Sequence, residues 1–304
     1  MIAGLFPGQG SHTRDARERV ALVVPGLLSE CEALVGEDPF ARAGESTRFA
    51  QPAIFCASVA GWEAHGADVR PVALAGHSLG ELSALVAAGA LDRRAGLRLA
   101  VRRGELMDAA CSGREEGMLA LLGATDEQVS RIARSHGLAL ANENAPGQVV
   151  LAGPTARLRA AAAQAREEHT RAITLDVAGA FHSPAMAPAV EPFRAELDAV
   201  EWDTPAIPVI SGTSARPFRD VRAELAEAIV APVRWRAVML ALAALGADTF
   251  VDFGPGEVLA RLVKRNLSDA RVLDLAAAGA ADGATTPDED AGAAADAREV
   301  SGVA

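Results

Sequence analysis

Short apolar runs alternate with longer segments of helical periodicity along most of this 304-residue chain. The runs have the length of buried strands, whereas the longer segments repeat apolar residues three and four positions apart. This alternation predicts an α/β fold with a mostly parallel sheet. The predicted strands are Ile2–Phe6, Val72–Ala75, Ile207–Ile210 and Thr249–Asp252, and the clearest predicted helices are Pro52–His65, Leu79–Ala88, Arg93–Cys111, Pro232–Leu245 and Glu257–Asn266.

One segment, 117–177, departs from this alternation. Its pattern predicts the order βαββαβ, which is typical of the ferredoxin-like fold. The six elements are Met118–Leu122, Glu127–His136, Leu138–Asn142, Val149–Ala152, Thr155–Glu168 and Ala172–Asp176. We therefore expect a small ferredoxin-like α+β subdomain inserted into an α/β body formed by residues 1–116 and 178–275.

Residues 276–304 are mostly Ala, Gly, Asp and Glu, and this composition predicts a disordered acidic tail. The formal net charge of −11 argues against a nucleic-acid partner, whose phosphates attract basic surfaces. No apolar run approaches the roughly 20 residues of a membrane span, and no basic segment precedes the first strand as in a secretory signal. We expect a cytoplasmic protein without membrane contact, and a monomer.

Three cysteines, Cys31, Cys56 and Cys111, are odd in number and far apart. This spacing fits neither a disulfide framework nor a metal-binding motif. They are predicted to be reduced residues of the core or of helices, and neither a metal nor a redox cofactor is expected.

The strongest motif is Gly76-His77-Ser78-Leu79-Gly80, a G-x-S-x-G pattern between a predicted strand and a predicted helix. In this context the glycines permit a sharp strand-to-helix turn that presents the serine. The turn places Ser78 at a helix N-terminus, where free N–H groups favour developing negative charge. Ser78 is therefore the candidate nucleophile.

A serine nucleophile needs a base within hydrogen-bond reach, and the chain has six histidines. His77 adjoins Ser78 but is expected to point away from it, and His12 follows a glycine-rich turn where it could line a pocket. His182 lies in a loop of small residues after the inserted segment. We rank His182 first without excluding the others.

The N-terminal strand runs into a glycine-rich turn, Pro7–Ser11. A phosphate-binding loop is disfavoured because the Gly/Lys/Ser order of such loops is absent. Either a plain turn or a backbone N–H that serves an oxyanion hole is compatible with the pattern.

Several motifs together resemble the malonyl-CoA:acyl carrier protein transacylases and the acyltransferase domains of polyketide synthases. The resemblance spans residues 1–267 in the family's order and is more specific than any one motif. It includes Phe6–Ser11, Gln51–Ala53, Gly76–Glu81, Arg103-Gly104 with Met107, Asn142–Gln148, Phe181–Ser183, Pro232–Trp235 and Gly254–Gly256 with Val258-Leu259.

The resemblance implies an α/β-hydrolase-like large domain carrying the ferredoxin-like subdomain, and it implies catalytic roles. Ser78 would be the acylated nucleophile and His182 the general base and later acid. The backbone N–H groups of Gln9 and Leu79 would hold the oxyanion. The implied activity moves malonyl from coenzyme A to the phosphopantetheine thiol of an acyl carrier protein, in fatty acid or polyketide biosynthesis, with no cofactor.

Substrate-binding roles are implied for two further residues. Arg103 would bind the malonyl carboxylate, for which a planar guanidinium is suited, and the adjacent Arg102 should not matter. Phe181, directly before the implied base, resembles the aromatic residue that accompanies malonyl rather than methylmalonyl use. Its ring would crowd the space of a methyl branch.

Two departures from the family pattern stand out. Ala228 occupies a position where relatives commonly have Gln, but the implied role there is that of a backbone carbonyl that orients the histidine. Gly212 stands where many relatives have Asn, which affects the substrate assignment more than the chemistry.

Alternative functions keep the same residues. A carrier-to-carrier acyltransferase or a hydrolase of stalled acyl chains would use Ser78 and His182, but an uncharged acyl chain has no use for Arg103. A non-enzymatic carrier-docking module is disfavoured because the implied catalytic set is intact.

Overall fold

The computed structural model describes residues 1–273. The strands are β1 Ile2–Phe6, β2 Ala73–Gly76, β3 Glu116–Leu122, β4 Ala139–Ala145, β5 Gln148–Pro154, β6 Arg171–Thr174, β7 Val209–Ile210, β8 Thr249–Asp252 and β9 Arg271–Leu273. The helices are α1 Ala16–Val23, α2 Pro25–Val35, α3 Thr47–Val69, α4 Gly80–Ala87, α5 Arg93–Cys111, α6 Asp126–His136, α7 Thr155–Glu167, α8 Ala187–Asp198, α9 Val221–Glu227, α10 Trp235–Ala244 and α11 Val258–Asn266. The predicted acidic tail, 276–304, lies outside the described residues.

The larger sheet is parallel, with strand order β7-β2-β1-β8-β9, which confirms the predicted α/β class. Parallel strands end at the same edge, so the turns that follow neighbouring strands lie side by side. Phe6 at the end of β1 pairs with Gly76 at the end of β2. The register therefore brings the N-terminal turn next to the turn that carries Ser78.

The smaller sheet is antiparallel, with order β4-β5-β3-β6, the strand order of the predicted ferredoxin-like fold. Pro146 and Gly147 form the turn between β4 and β5, and Gly147 has a φ of 71°, which favours glycine. Leu119 faces a core shared with α6 and α7, whereas Met118 faces the core of the larger sheet. The boundaries of the insertion, 117–177, stay a prediction.

Several predicted boundaries were wrong. Helix α3 begins at Thr47, not at Pro52, because the proline lies inside the helix rather than in its first turn. Helix α10 begins at Trp235 instead of Pro232, and β7 is reduced to Val209–Ile210. Helix α8 was not among the predicted elements; Pro192 lies inside it, and a proline normally ends a helical pattern.

The three cysteines are buried and free, as predicted. Within residues 1–273, no helix combines the length and hydrophobicity needed to cross a bilayer.

Candidate active site

Ser78 lies on a tight turn between β2 and α4, with a φ of 54°. A Cβ atom on Gly76 would lie 2.0 Å from the carbonyl carbon of Gly80, and one on Gly80 would lie 2.0 Å from the Phe6 oxygen. Any side chain at either position would collide with backbone. The turn that presents Ser78 therefore requires both glycines.

His182 is the histidine that the fold brings to this serine. Its Nε2 lies 2.7 Å from Ser78 Oγ, and its Nδ1 lies 2.9 Å from the carbonyl oxygen of Ala228. Because a carbonyl only accepts, Nδ1 carries the proton and Nε2 presents its lone pair to Ser78. Burial, aided by the charge of Arg103, lowers the pKa of His182 to about 3. The imidazole is thus neutral and able to accept a proton.

The two residues predicted to form the oxyanion hole lie around the serine. Gln9 and Leu79 both line the cavity around Ser78. Neither N–H donates a hydrogen bond to an acceptor within residues 1–273. Free N–H groups beside a nucleophile are suited to holding a negatively charged oxygen.

Arg103 places a buried guanidinium beside the nucleophile. It is 4% exposed, its Nη2 donates to Ser78 Oγ at 3.1 Å, and its Nη1 donates to Gln51 Oε1 at 2.8 Å. Burial lowers its pKa to about 10, so it stays charged at neutral pH. Within the described chain it forms no ion pair, whereas Arg102 pairs with Glu196 on the surface. The buried charge is therefore available to an anionic ligand.

Gln51 belongs to one of the motifs that carry the family resemblance, but the sequence predicts no role for it. Its Oε1 accepts from Arg103, while its Nε2 donates to Thr47 Oγ1 at 2.8 Å and contacts Met107 Sδ at 3.4 Å. It therefore fixes the guanidinium from the side opposite Ser78. The available signal in the sequence is the pair of polar residues Thr47 and Gln51, four positions apart and so on the same face of a helix.

Glu81, in the first turn of α4, is a second residue without an inferred role. Its buried Oε1 accepts from the backbone N–H of Gly212 at 2.7 Å. Burial raises the pKa of Glu81 to about 7, although the nearby positive charge of Arg103 acts to lower it. The carboxyl ties the helix that follows the nucleophile to the loop after β7.

All six predicted site residues line one cavity of about 10 Å³. The lining consists of Gln9, Gln51, Ser78, Leu79, Arg103, Met107, Phe181 and His182. None of these comes from segment 117–177, so the walls belong to the body rather than to a cleft against the insertion. This volume holds about one water molecule. Larger cavities, of about 360 and 270 Å³, lie away from Ser78.

Comparison with known proteins agrees with this geometry. The chain matches the family model described as acyl transferase domain over residues 31–302. It is 34% identical over 290 residues to the polyketide biosynthesis malonyl CoA-acyl carrier protein transacylase PksC of Bacillus subtilis, covering 90% of this chain and 99% of PksC. It is 39% identical over 283 residues to the polyketide biosynthesis protein ThaF of Burkholderia thailandensis, covering 88% of this chain but 24% of ThaF.

Similarity extends to solved structures. One is a malonyl-transacylase in complex with its type II polyketide synthase acyl-carrier protein, matched with a TM-score of 0.83 at 30% identity over 89% of this chain and 94% of that chain. The chain belongs to the acyl transferase domain family, and its match to nearly all of PksC assigns it to the malonyl CoA-acyl carrier protein transacylases within that family.

Proposed function

We propose that this protein transfers a malonyl group from coenzyme A to the phosphopantetheine thiol of an acyl carrier protein through an acyl-Ser78 intermediate. The observation that carries the proposal is the buried guanidinium of Arg103, 3.1 Å from Ser78 Oγ. A cation at that distance selects an acyl group whose carboxylate lies a few bonds from the thioester carbonyl. Malonyl, with one methylene between the two, meets this requirement, and the guanidinium fork can pair with its carboxylate.

Acylation begins when Ser78 Oγ attacks the thioester carbonyl carbon and passes its proton to His182 Nε2. The N–H groups of Gln9 and Leu79 hold the oxyanion of the tetrahedral intermediate. As the intermediate collapses, the C–S bond breaks and the coenzyme A sulfur takes the proton from His182. The carbonyls of Ala228 and Ala231, 2.9 and 3.2 Å from His182 Nδ1, keep the ring oriented and accept from its imidazolium form.

The second half-reaction runs the same steps with a different thiol. The phosphopantetheine thiol of the carrier gives its proton to His182 and attacks the acyl-serine carbonyl, and Ser78 regains a proton as it leaves. The family's names and the carrier complex of a similar transacylase support an acyl carrier protein as the acceptor. Fatty acid and polyketide biosynthesis are the pathways that use this product.

Phe181 shapes the acyl specificity in this proposal. Its buried ring lines the cavity beside His182, where a methyl branch on the acyl chain would need space. One methyl group changes binding by about 1–3 kcal/mol, so we expect a preference for malonyl over methylmalonyl. A monomeric state and a cytoplasmic location complete the proposal and stay predictions.

The alternatives explain fewer of the contacts. A carrier-to-carrier acyltransferase or an editing hydrolase would leave the charge of Arg103 buried without an anionic partner, which is costly. A non-enzymatic docking module has no need of the short contact between Ser78 and His182.

Intact-mass spectrometry tests the proposal. The protein is incubated briefly with malonyl-, methylmalonyl- or acetyl-CoA, beside the variants Ser78→Ala, Arg103→Ala and the neighbouring control Arg102→Ala. We expect a malonyl adduct that is absent in Ser78→Ala, lost or less selective in Arg103→Ala, and retained in Arg102→Ala. No adduct from any of the three donors would refute the malonyl assignment.

A further inference from the structure

His77 precedes the nucleophile but takes no part in the proton transfers. Its buried ring points away from Ser78, as expected from the sequence, and its Nε2 lies 3.1 Å from Asn144 Oδ1. Asn144 lies on β4 of the smaller sheet, outside the walls of the acyl cavity. This hydrogen bond therefore joins the nucleophile turn to the predicted insertion.

The imidazole of His77 acts here as a neutral donor. Burial lowers its pKa to about 4, so it carries a single N–H at neutral pH. The Asn144 oxygen accepts that N–H, and the ring packs against Trp235 with centroids 5.4 Å apart. The side chain is thus fixed by one polar and one aromatic neighbour.

The backbone of His77 is fixed between the two turns of the site. Its N–H donates to the Phe6 oxygen at 2.9 Å, and its carbonyl accepts from the Gly80 N–H at 3.0 Å. A Cβ on Gly8 would lie 2.6 Å from the same carbonyl oxygen. A displacement of His77 would therefore shift the N–H groups of Gln9 and Leu79 relative to each other.

Asn144 is itself anchored to the body. Its carbonyl oxygen accepts from Asn266 Nδ2 at 2.8 Å, and that same group donates to Leu262 within α11 at 2.9 Å. Strand β4 is also bridged to the segment before α10, where Asn142 pairs with Val233. The acceptor for His77 thus occupies a defined position relative to the larger sheet.

We propose that Asn144 and His77 are positioning residues. Their hydrogen bond holds the turn that carries Ser78 in place relative to the N–H groups of Gln9 and Leu79, which bind the oxyanion. The smaller sheet then takes part in acyl transfer although it supplies no wall of the acyl cavity. This inference rests on the proposed function, because the position of this turn affects a reaction only if Ser78 is acylated. Small displacements of a reacting group have large effects on rate.

Rapid-quench measurement of malonyl-enzyme formation tests the inference, using wild type, Asn144→Ala, His77→Leu, the double variant and His77→Gln. The matched control is Asn142→Ala, since Asn142 is buried on the same strand and its side-chain amide has no hydrogen-bond partner among the described residues. Each rate is divided by the amount of folded protein. That amount is taken as the fraction of molecules that are acylated when the reaction is complete.

We expect Asn144→Ala to lower the acylation rate constant at saturating malonyl-CoA about tenfold, as loss of one buried hydrogen bond predicts, with KM little changed. His77→Gln, which keeps a donor, should recover most of the rate, and the double variant should be no slower than the slower single variant. If Asn144→Ala acylates at the wild-type rate, or no more slowly than Asn142→Ala, the inference is wrong. Failure of the wild type to acylate would refute the proposed function instead.

Discussion

Single residues in the site differ in how visible they are in the sequence. Ser78 follows from a motif with a structural requirement, whereas His182 is only ranked first among six histidines until the family resemblance implies its role. The sequence predicts no role for Gln51 or Glu81, because their roles depend on burial near Arg103. Arg103 lies 52 positions from Gln51 and 22 positions from Glu81. Polar residues acquire such roles from their surroundings, which the local pattern does not encode.

Gln51 should control how well Arg103 selects a carboxylated acyl group. We expect Gln51→Leu to lower kcat/KM for malonyl-CoA by about tenfold or more, because a hydrogen bond to a charged group is worth about 1.5–3 kcal/mol. Activity toward acetyl-CoA should change little, since acetyl has no carboxylate. Steady-state kinetics with both donors measure the ratio, with Gln164→Leu on α7 as the control. An unchanged malonyl-to-acetyl ratio in Gln51→Leu would contradict this role.

Glu81 should make stability depend on pH. Because burial raises its pKa from 4.5 to about 7, the folded protein holds a proton that the unfolded chain has lost, and wild type loses stability as pH rises through this window. The shift corresponds to about 3 kcal/mol. Glu81→Gln cannot ionise and does not lose this contribution. The unfolding free energy of the variant minus that of wild type should therefore be larger at about pH 8 than at about pH 5. Urea unfolding of wild type and variant at both pH values measures this difference, and Glu115→Gln at an exposed position is the control. The same difference between Glu81→Gln and wild type at both pH values would contradict the prediction.

At the scale of elements, the site depends on where strands end. Strands β1 and β2 are paired in parallel, so their following turns converge and α4 starts directly behind Ser78. The sequence predicted both strands and the turn between β2 and α4. The close approach of the two turns was not visible, because it requires the strand order.

Gly80 is where this approach is closest. We expect Gly80→Ala to lower the free energy of unfolding by at least about 2 kcal/mol and to abolish acylation, since its Cβ would lie 2.0 Å from the Phe6 oxygen. Gly26→Ala on α2 is the control, because its Cβ would meet nothing within 4 Å. It should be neutral or stabilising by up to about 1 kcal/mol. Chemical unfolding and intact-mass acylation measure both, and a stable, active Gly80→Ala would refute the steric argument.

At the scale of the whole molecule, the two sheets share one hydrophobic core. Successive side chains of β3 face opposite sides, so Met118 packs into the core around α3 and α5 while Leu119 packs beneath α6 and α7. One strand thereby connects the stability of both parts.

This arrangement predicts different consequences for neighbouring truncations. Met118→Ala and Leu119→Ala should each cost about 2–5 kcal/mol, because both side chains are fully buried. Hydrogen exchange should rise in both sheets for Met118→Ala but mainly in α6 and α7 for Leu119→Ala. The two variants serve as each other's control. Identical exchange patterns in the two variants would show that the two faces of β3 do not stabilise different parts of the protein.

The sequence by itself predicted the fold class, most of the strands and helices in their order, the candidate nucleophile and, through a family resemblance, the six candidate site residues. These follow from local periodicity, turn chemistry and motif order, all of which are properties of neighbouring residues. The sequence ranked His182 first, but only the tertiary structure shows that it reaches Ser78, that Gln51 holds Arg103 and that Asn144 contacts His77. Those contacts join residues 52 to 104 positions apart, and only the packing of helices and sheets in the folded chain brings them within hydrogen-bond distance.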